Sequence, residues 1–231
     1  WVTDTACEIA ERYGFDEMAP PVFEFTPVFA RTMGEGSDVV TKEMYSFHSG
    51  SDEELVTLRP EFTAGICRAF VSNGLYDQAP FKVFARGPVF RHERPQKGRQ
   101  RQFHQINLEL LGVSDPQADI EVLAIAHHIL KSLDIAENCT LHINTLGDHG
   151  CRARYKDILV AYLEPYKSEL SEESQTRLYR NPMRIFDSKS ERDQTIIADA
   201  PLLRDHLNDI SRNFFHEVCE GLALIDIPFE L

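Results

Sequence analysis

The sequence has few cysteines, and they are not arranged in pairs. Its five cysteines are an odd number, scattered through the chain: Cys7, Cys67, Cys139, Cys151 and Cys219. Because no two of them form a C-x-x-C pair, the pattern predicts neither a disulfide framework nor a zinc site. The nine histidines are dispersed except for His127 and His128, which would point apart on a helix. No metal site is therefore predicted.

Long apolar runs are also missing. No stretch approaches the roughly 20 residues that a membrane-spanning helix needs. The first residues show no basic segment leading into an apolar core, so we expect no signal peptide. With 42% hydrophobic and 26% charged residues among 231, the chain has the composition of a globular protein with a substantial core. We expect a cytoplasmic protein without a membrane partner.

Positive charge is scarce, yet it is concentrated in one place. The chain has 24 basic and 37 acidic residues, for a net charge of −13. Between positions 86 and 101 a single acid, Glu93, accompanies six basic residues: Arg86, Arg91, Arg94, Lys97, Arg99 and Arg101. At this net charge, most of the protein surface would repel a polyanion. The cluster of guanidinium groups therefore predicts a local site for phosphate.

This basic stretch lies in the loop of a predicted hairpin. Two strand-like runs, 81–92 and 102–111, flank a turn-forming segment that contains Pro95 and Gly98. Successive side chains of the second run point to opposite faces, which places Gln105, Asn107 and Glu109 together and opposite Ile106, Leu108 and Leu110. The polar face is either simply solvated or lines a cleft that hydrogen-bonds a small polar ligand.

Three segments carry a family resemblance. The run 90–105, F-R-H-E-R-P-Q-K-G-R-Q-R-Q-F-H-Q, resembles motif 2 of the class II aminoacyl-tRNA synthetases. Its particular residues resemble those of the histidyl-tRNA synthetase family. The segment 58–63, L-R-P-E-F-T, is similar to that family's L-R-P-E-x-T. The segment 181–189, N-P-M-R-I-F-D-S-K, is similar to its N-P-L-R-x-L-D-S-K. Together these matches extend over most of the chain.

The resemblance implies an α+β fold, with an antiparallel sheet of the class II synthetase type, flanking helices and a helical insertion. Short hairpin turns favour antiparallel pairing independently of it. Residues 1–147 would form the catalytic core with motifs 1 and 2, and residues 148–231 the insertion region. A helix over 1–13 and a strand over 15–23, interrupted by Pro20 and Pro21, resemble motif 1. In the family, motif 1 forms the interface of a homodimer.

The resemblance also implies an activity. ATP would activate histidine to histidyl-adenylate, and the histidyl group would pass to tRNA(His). Arg91 would contact the α-phosphate and Arg99 the outer phosphates, because a guanidinium offers a fixed fork of donors. Their simpler interpretation is surface ion pairing. Mg²⁺ would accompany ATP without a protein cage, and Arg94 and Gln96 would approach the acceptor end of the tRNA.

Histidine selection requires an acceptor for an imidazole N–H and a clamp on the amino group. Glu109 fits the first requirement, since a site built to bond a substrate N–H rejects analogues that lack it. Glu61, Thr63 and Gln105 fit the second. Gln105 joins the two arginines as the predicted catalytic set. Glu61 also lies at a predicted helix start, where the helix dipole favours a carboxylate whatever its function.

Two of the family's later segments, an R-G-L-D-Y-Y run and the glycine-rich motif 3, do not occur in these 231 residues. We therefore expect an N-terminal portion of a synthetase catalytic domain that has little or no activity by itself. Two alternatives stay open. One is a non-catalytic paralogue resembling the ATP phosphoribosyltransferase regulatory subunit, against which the intact motif residues argue. The other is a tRNA-sensing domain.

Overall fold

The computed structural model describes residues 1–33, 39–50 and 54–231. Their contacts divide the chain into two compact units, Trp1–Cys139 and Thr140–Leu231. The predicted division of the sequence into a synthetase core, 1–147, and an insertion, 148–231, stays a prediction. Within the described ranges, no helix is long and apolar enough to cross a membrane.

The first unit alternates helices with short strands and contains one long hairpin. Its elements in chain order are α1 (Val2–Arg12), β1 (Asp16–Glu17), β2 (Phe23–Phe25), α2 (Thr26–Met33), β3 (Ser46–His48), β4 (Leu55–Leu58), α3 (Thr63–Ser72), β5 (Phe81–Phe90), β6 (Gln102–Leu111) and α4 (Pro116–Ser132). Two glycines that the sequence predicts to end α2, Gly34 and Gly36, lie outside the described residues. The predicted α+β class is confirmed.

Strands β5 and β6 form the predicted antiparallel hairpin, in register from Phe81 opposite Leu111 to Phe90 opposite Gln102. One face of this hairpin packs under α1 and α4, where Leu108 and Leu110 contact a buried cluster that includes Phe84. The apolar face of β6 is therefore the core face that the alternation predicts. Strand β1 adds a parallel pair to the other edge of β5.

The predicted strand over 15–23 is wrong in its extent. Only Asp16–Glu17 pairs with β5, and Phe23–Phe25 belongs to a different sheet, of order β2-β4-β3. Pro20 and Pro21 lie between them. Because proline has no N–H and a fixed φ, two in succession interrupt a ladder. The chain passes from one sheet to the other at this point.

The β2-β4-β3 sheet is polar towards the helices and apolar on its other face. Glu24 and Thr57, neighbours in register, are 8% and 0% exposed, and Glu24 accepts hydrogen bonds from Arg68 of α3. On the opposite face Phe25 and Phe47 flank Val56 in one cross-strand row. The two phenylalanines remain 52% and 46% exposed.

The second unit is helical, as predicted. It contains α5 (His149–Leu163), α6 (Glu172–Arg180), α7 (Glu191–Ile197) and α8 (Asp209–Leu224), around a core that includes Leu159, Leu163, Leu178 and Ile185. All four helices begin with a side-chain cap, supplied in order by Asp148, Ser171, Ser190 and Asn208.

Candidate ligand-binding site

The polar face of β6 meets the start of helix α3. Thr63, the first residue of that helix, donates a hydrogen bond to Glu109 Oε1 at 2.5 Å. Its hydroxyl also accepts from Asn107 Nδ2 at 3.4 Å. Thr63, predicted from the L-R-P-E-F-T segment, and Glu109, predicted from the polar face of the second strand, are therefore adjacent. The polar face is covered by a helix rather than simply solvated.

Two amide oxygens on this face have no partner. Gln105 Oε1 and Asn107 Oδ1 are buried and make no hydrogen bond to any residue that the structure describes. An unpaired buried acceptor costs about 1–3 kcal/mol, and native proteins contain few of them. Their positions on one strand face, beside Glu109, point to a ligand that carries N–H donors. Asn107 was not among the predicted site residues, although the strand alternation already placed it on this face.

Glu61 has a local role in addition to any binding role. Its Oε1 accepts a hydrogen bond from the backbone N–H of Ala64 at 2.9 Å, which satisfies one of the free donors in the first turn of α3. The carboxylate therefore lies at the helix start, as predicted, and its cap contact gives it a fixed position two residues before Thr63.

Two carboxylates, Glu61 and Glu109, lie at the space between α3 and β6. Burial raises the pKa of the Cys67 thiol, one turn along α3, and the charges of Glu109 and Glu61 raise it further. These two carboxylates therefore act on the same side of the helix. Such a field favours a cation, for example an ammonium group, over an anion.

Arg91 spans the end of the hairpin and the segment before α3. Its Nε donates to the carbonyl oxygen of Pro60 at 3.0 Å, and its guanidinium lies 5.3 Å from the centre of the Phe103 ring. The backbone N–H of Arg91 donates to Arg101 O at 2.9 Å. These contacts hold the guanidinium between the Phe103 ring of β6 and the carbonyl group of Pro60, the residue before Glu61.

The loop residues are arranged differently. Arg99 is 63% exposed and forms an ion pair with Glu93 at 3.0 Å, which is the surface pairing expected of an arginine without a ligand. Among the described residues, the structure records no contact between Arg99 and the polar face of β6. Arg94 and Gln96 are exposed at the loop tip. The structure thus joins Thr63 to Glu109 and places Glu61 and the Arg91 contact within the same segment at the start of α3. It leaves the predicted outer-phosphate and tRNA residues in solvent.

Comparison with known proteins gives a consistent result. The family model described as histidyl-tRNA synthetase matches residues 1–148. The histidine–tRNA ligase of Rhodospirillum rubrum is 54% identical over 230 residues, covering 100% of this chain and 55% of its own length. The corresponding ligase of Rickettsia bellii is 49% identical over 231 residues, with 100% and 55% covered. The chain therefore spans about half the length of these relatives.

A solved structure agrees with this. The crystal structure of apo S. aureus histidyl-tRNA synthetase is 31% identical, with a TM-score of 0.75, and the match covers 99% of this chain and 51% of that one. The likeness extends over both units. The expected fold type is confirmed.

Proposed function

Because this chain belongs to the histidyl-tRNA synthetase family, we propose that it supplies the histidine site and part of the ATP site of a histidine–tRNA ligase. The activity is that of the whole protein, of which relatives are about twice as long as this chain. Its substrates would be histidine, ATP and tRNA(His). We place the activity in the cytoplasm.

The observation that carries the proposal is the pair of unpaired amide oxygens of Gln105 and Asn107 beside the Thr63–Glu109 hydrogen bond. Histidine has two groups rich in N–H donors, its ammonium group and its imidazole ring. Thr63 donates to Glu109 Oε1, and the imidazole N–H of histidine would donate to Oε2. Gln105 and Glu61 would take the ammonium group, in the field of the two carboxylates. Asn107 would accept from the ligand between them.

In the first step, a carboxylate oxygen of histidine attacks the α-phosphorus of ATP. A new oxygen–phosphorus bond forms, the bond to the bridging oxygen breaks, and pyrophosphate leaves. Negative charge increases on the α-phosphate oxygens. The Arg91 guanidinium, which donates to Pro60 O and lies over the Phe103 ring, can stabilise that charge with donors already in place.

Outside this centre, Arg99 would leave Glu93 to bind the outer phosphates of ATP. Mg²⁺, which neutralises phosphate charge, would be held mainly by phosphate oxygens, since the described residues include no group of three His, Cys, Asp or Glu able to hold a metal ion. Arg94 and Gln96 at the loop tip would meet the acceptor end of the tRNA.

Assembly as a homodimer is part of the proposal. Phe23, Phe25 and Phe47 are each about half exposed on the outer face of the β2-β4-β3 sheet, while the inner face of the same sheet is polar. A sheet normally shows its polar face to water. The reversed arrangement supports burial of the outer face against a second copy of the chain.

The test is histidine-dependent ATP–pyrophosphate exchange by the full-length protein. Wild-type protein should exchange with histidine and not with other amino acids. Gln105→Leu and Asn107→Leu remove the unpaired oxygens at similar volume, and each should raise the KM for histidine by on the order of tenfold while changing the KM for ATP little. Equal exchange rates with unrelated amino acids would refute the proposed substrate.

A further inference from the structure

Arg59 is a buried arginine that the proposed mechanism does not use. It directly follows β4, is 7% exposed, and takes part in none of the ion pairs within the described residues. Burial lowers the pKa of Arg59 below the ordinary value of an arginine. A buried charge without a carboxylate partner is costly unless carbonyl groups solvate it. Its contacts therefore need an explanation.

These contacts join three separate segments of the first unit. The Nε atom of Arg59 donates to Pro88 O of β5 at 2.9 Å, and Nη1 donates to Pro20 O, between β1 and β2, at 2.7 Å. The guanidinium carbon lies 4.3 Å from the centre of the Phe62 ring. Phe62 is the N-cap residue of α3. One side chain thus connects the β1–β2 segment, the hairpin and the helix start.

The hairpin leaves room for this guanidinium at a glycine. A Cβ atom on Gly87 would lie 3.1 Å from Arg59 Nη2, and Gly87 pairs with Gln105 across the ladder. Because residues paired across a ladder point to the same face, the guanidinium lies on the same side of the hairpin as the ligand-facing amides.

The backbone carbonyl groups of residues 59 and 60 also bond to the hairpin. Phe90 N donates to Arg59 O at 2.9 Å, and Arg91 Nε donates to the next carbonyl, that of Pro60, at 3.0 Å. Residues 59–60 are therefore hydrogen-bonded to the end of β5. The chain then continues directly into Glu61 and Thr63.

We infer that Arg59 is a positioning residue that fixes the start of α3 against the β5–β6 hairpin, and so sets Glu61 and Thr63 in place relative to Gln105, Glu109 and Arg91. This inference rests on the proposed function. A guanidinium suits the task because its planar fork reaches carbonyls in different directions and stacks on a ring. The compact charge of a lysine does so less well.

The experiment compares Arg59→Met and Arg59→Lys with a matched control, Thr57→Val, in the full-length protein. Thr57 lies two residues earlier, is 0% exposed, and bonds to the hydroxyls of Thr26 and Ser46. Its loss should lower stability without touching α3 or β5. Histidine titration calorimetry counts competent sites, and exchange rates are expressed per site so that partial unfolding does not count as lost catalysis.

Arg59→Met should lower the per-site kcat/KM for histidine by on the order of 10²-fold, the effect of a misplacement of about 1 Å. Arg59→Lys should recover part of that loss, and Thr57→Val should stay within about threefold of wild type at a similar fall in Tm. Low millimolar guanidinium should partly restore Arg59→Ala, which leaves a hole, and not Arg59→Met, which fills it.

Two results with an active wild type would overturn the assignment of Arg59 alone. One is a per-site kcat/KM of Arg59→Met within about threefold of wild type, and the other is an equal loss of kcat/KM in Thr57→Val. A wild-type protein that neither binds histidine nor exchanges pyrophosphate would refute the proposed function and this inference together.

Discussion

Asp193 in the second unit shows how one buried carboxylate can make stability depend on pH. It is 0% exposed and accepts hydrogen bonds from the hydroxyls of Ser171, Ser174 and Ser188 and from Ser171 N. Burial alone raises the pKa of Asp193, but the hydrogen bonds outweigh it and lower the pKa to about 2. The folded state therefore favours the ionised form more than the unfolded state does.

The first prediction follows from that difference. With an unfolded pKa of about 3.9, Asp193 contributes about 2 kcal/mol of stability that is present above about pH 5 and is lost as the pH falls towards 2. Asp193→Asn should be less stable than wild type at pH 7, and the two unfolding free energies should converge in acid. Urea titrations over a pH series measure this. Parallel curves would contradict it, and Asp187→Asn, at a side chain 66% exposed, is the control.

A second prediction separates the two ligands of the candidate site. In the full-length protein, Glu109→Ala should weaken histidine binding far more than ATP binding, because it removes the imidazole acceptor and frees Thr63. Arg91→Ala should mainly slow adenylate formation, by on the order of 10²–10³-fold for one lost preorganised donor. Pre-steady-state kinetics distinguish binding from chemistry. Equal effects of both substitutions on both ligands would show that the roles are misassigned.

How much of the site was predictable depends on the kind of residue. Strand alternation alone placed Gln105, Asn107 and Glu109 on one face, and the motif pointed to Thr63. Sequence reasoning did not single out Asn107, because its unpaired oxygen becomes visible only once α3 covers the face. Arg59 lies in the L-R-P-E-F-T segment, but it was given no role for a related reason. Its partners are carbonyl groups of distant segments, which no side-chain pattern reveals.

At the scale of elements, helix α3 tests whether Glu61 serves the helix or the ligand. Glu61→Gln keeps an oxygen that can accept from Ala64 N, whereas Glu61→Ala removes it. We expect Glu61→Gln to keep nearly wild-type stability but to bind histidine more weakly, since the charge that attracts the ammonium group is gone. Glu61→Ala should in addition lose about 0.5–2 kcal/mol of stability, as lost helix caps do.

Thermal unfolding and histidine calorimetry on the same samples measure the two effects separately. Glu61→Gln that binds histidine as tightly as wild type would leave Glu61 with the helix-start role alone.

The elements also show where local pattern is sufficient. The long hairpin was predictable because each strand is ten residues long and its turn contains proline and glycine. The segment 15–25 was not, because its strands have only two and three residues and pair in different sheets. Pairs this short are decided by tertiary contacts rather than by the propensity of the residues. The helices of the second unit begin at Asp, Ser or Asn caps, residue types that indicate a helix start in the sequence.

At the scale of the whole molecule, the exposed aromatic face leads to the last prediction. Phe25, Val56 and Phe47 form one row across the β2-β4-β3 sheet, and Val56, between the two phenylalanines, is only 4% exposed. In a two-fold contact the same row meets itself, so one substitution changes both sides of the interface. Phe25→Glu would place two carboxylates in an apolar contact, where like charges repel and lose hydration.

We therefore expect wild-type full-length protein to be a dimer at micromolar concentration and Phe25→Glu to be a monomer or to dissociate at higher concentration. The control is Ile210→Glu, at an apolar residue 79% exposed on α8 and outside the sheet, which should leave the dimer intact. Light scattering coupled to size exclusion measures the mass, and circular dichroism verifies that the variants are folded. Phe25 is already half exposed in the single chain, so its substitution should cost the folded monomer little. A folded Phe25→Glu variant that remains fully dimeric would place the two-fold contact elsewhere and leave the reversed faces of this sheet without an explanation.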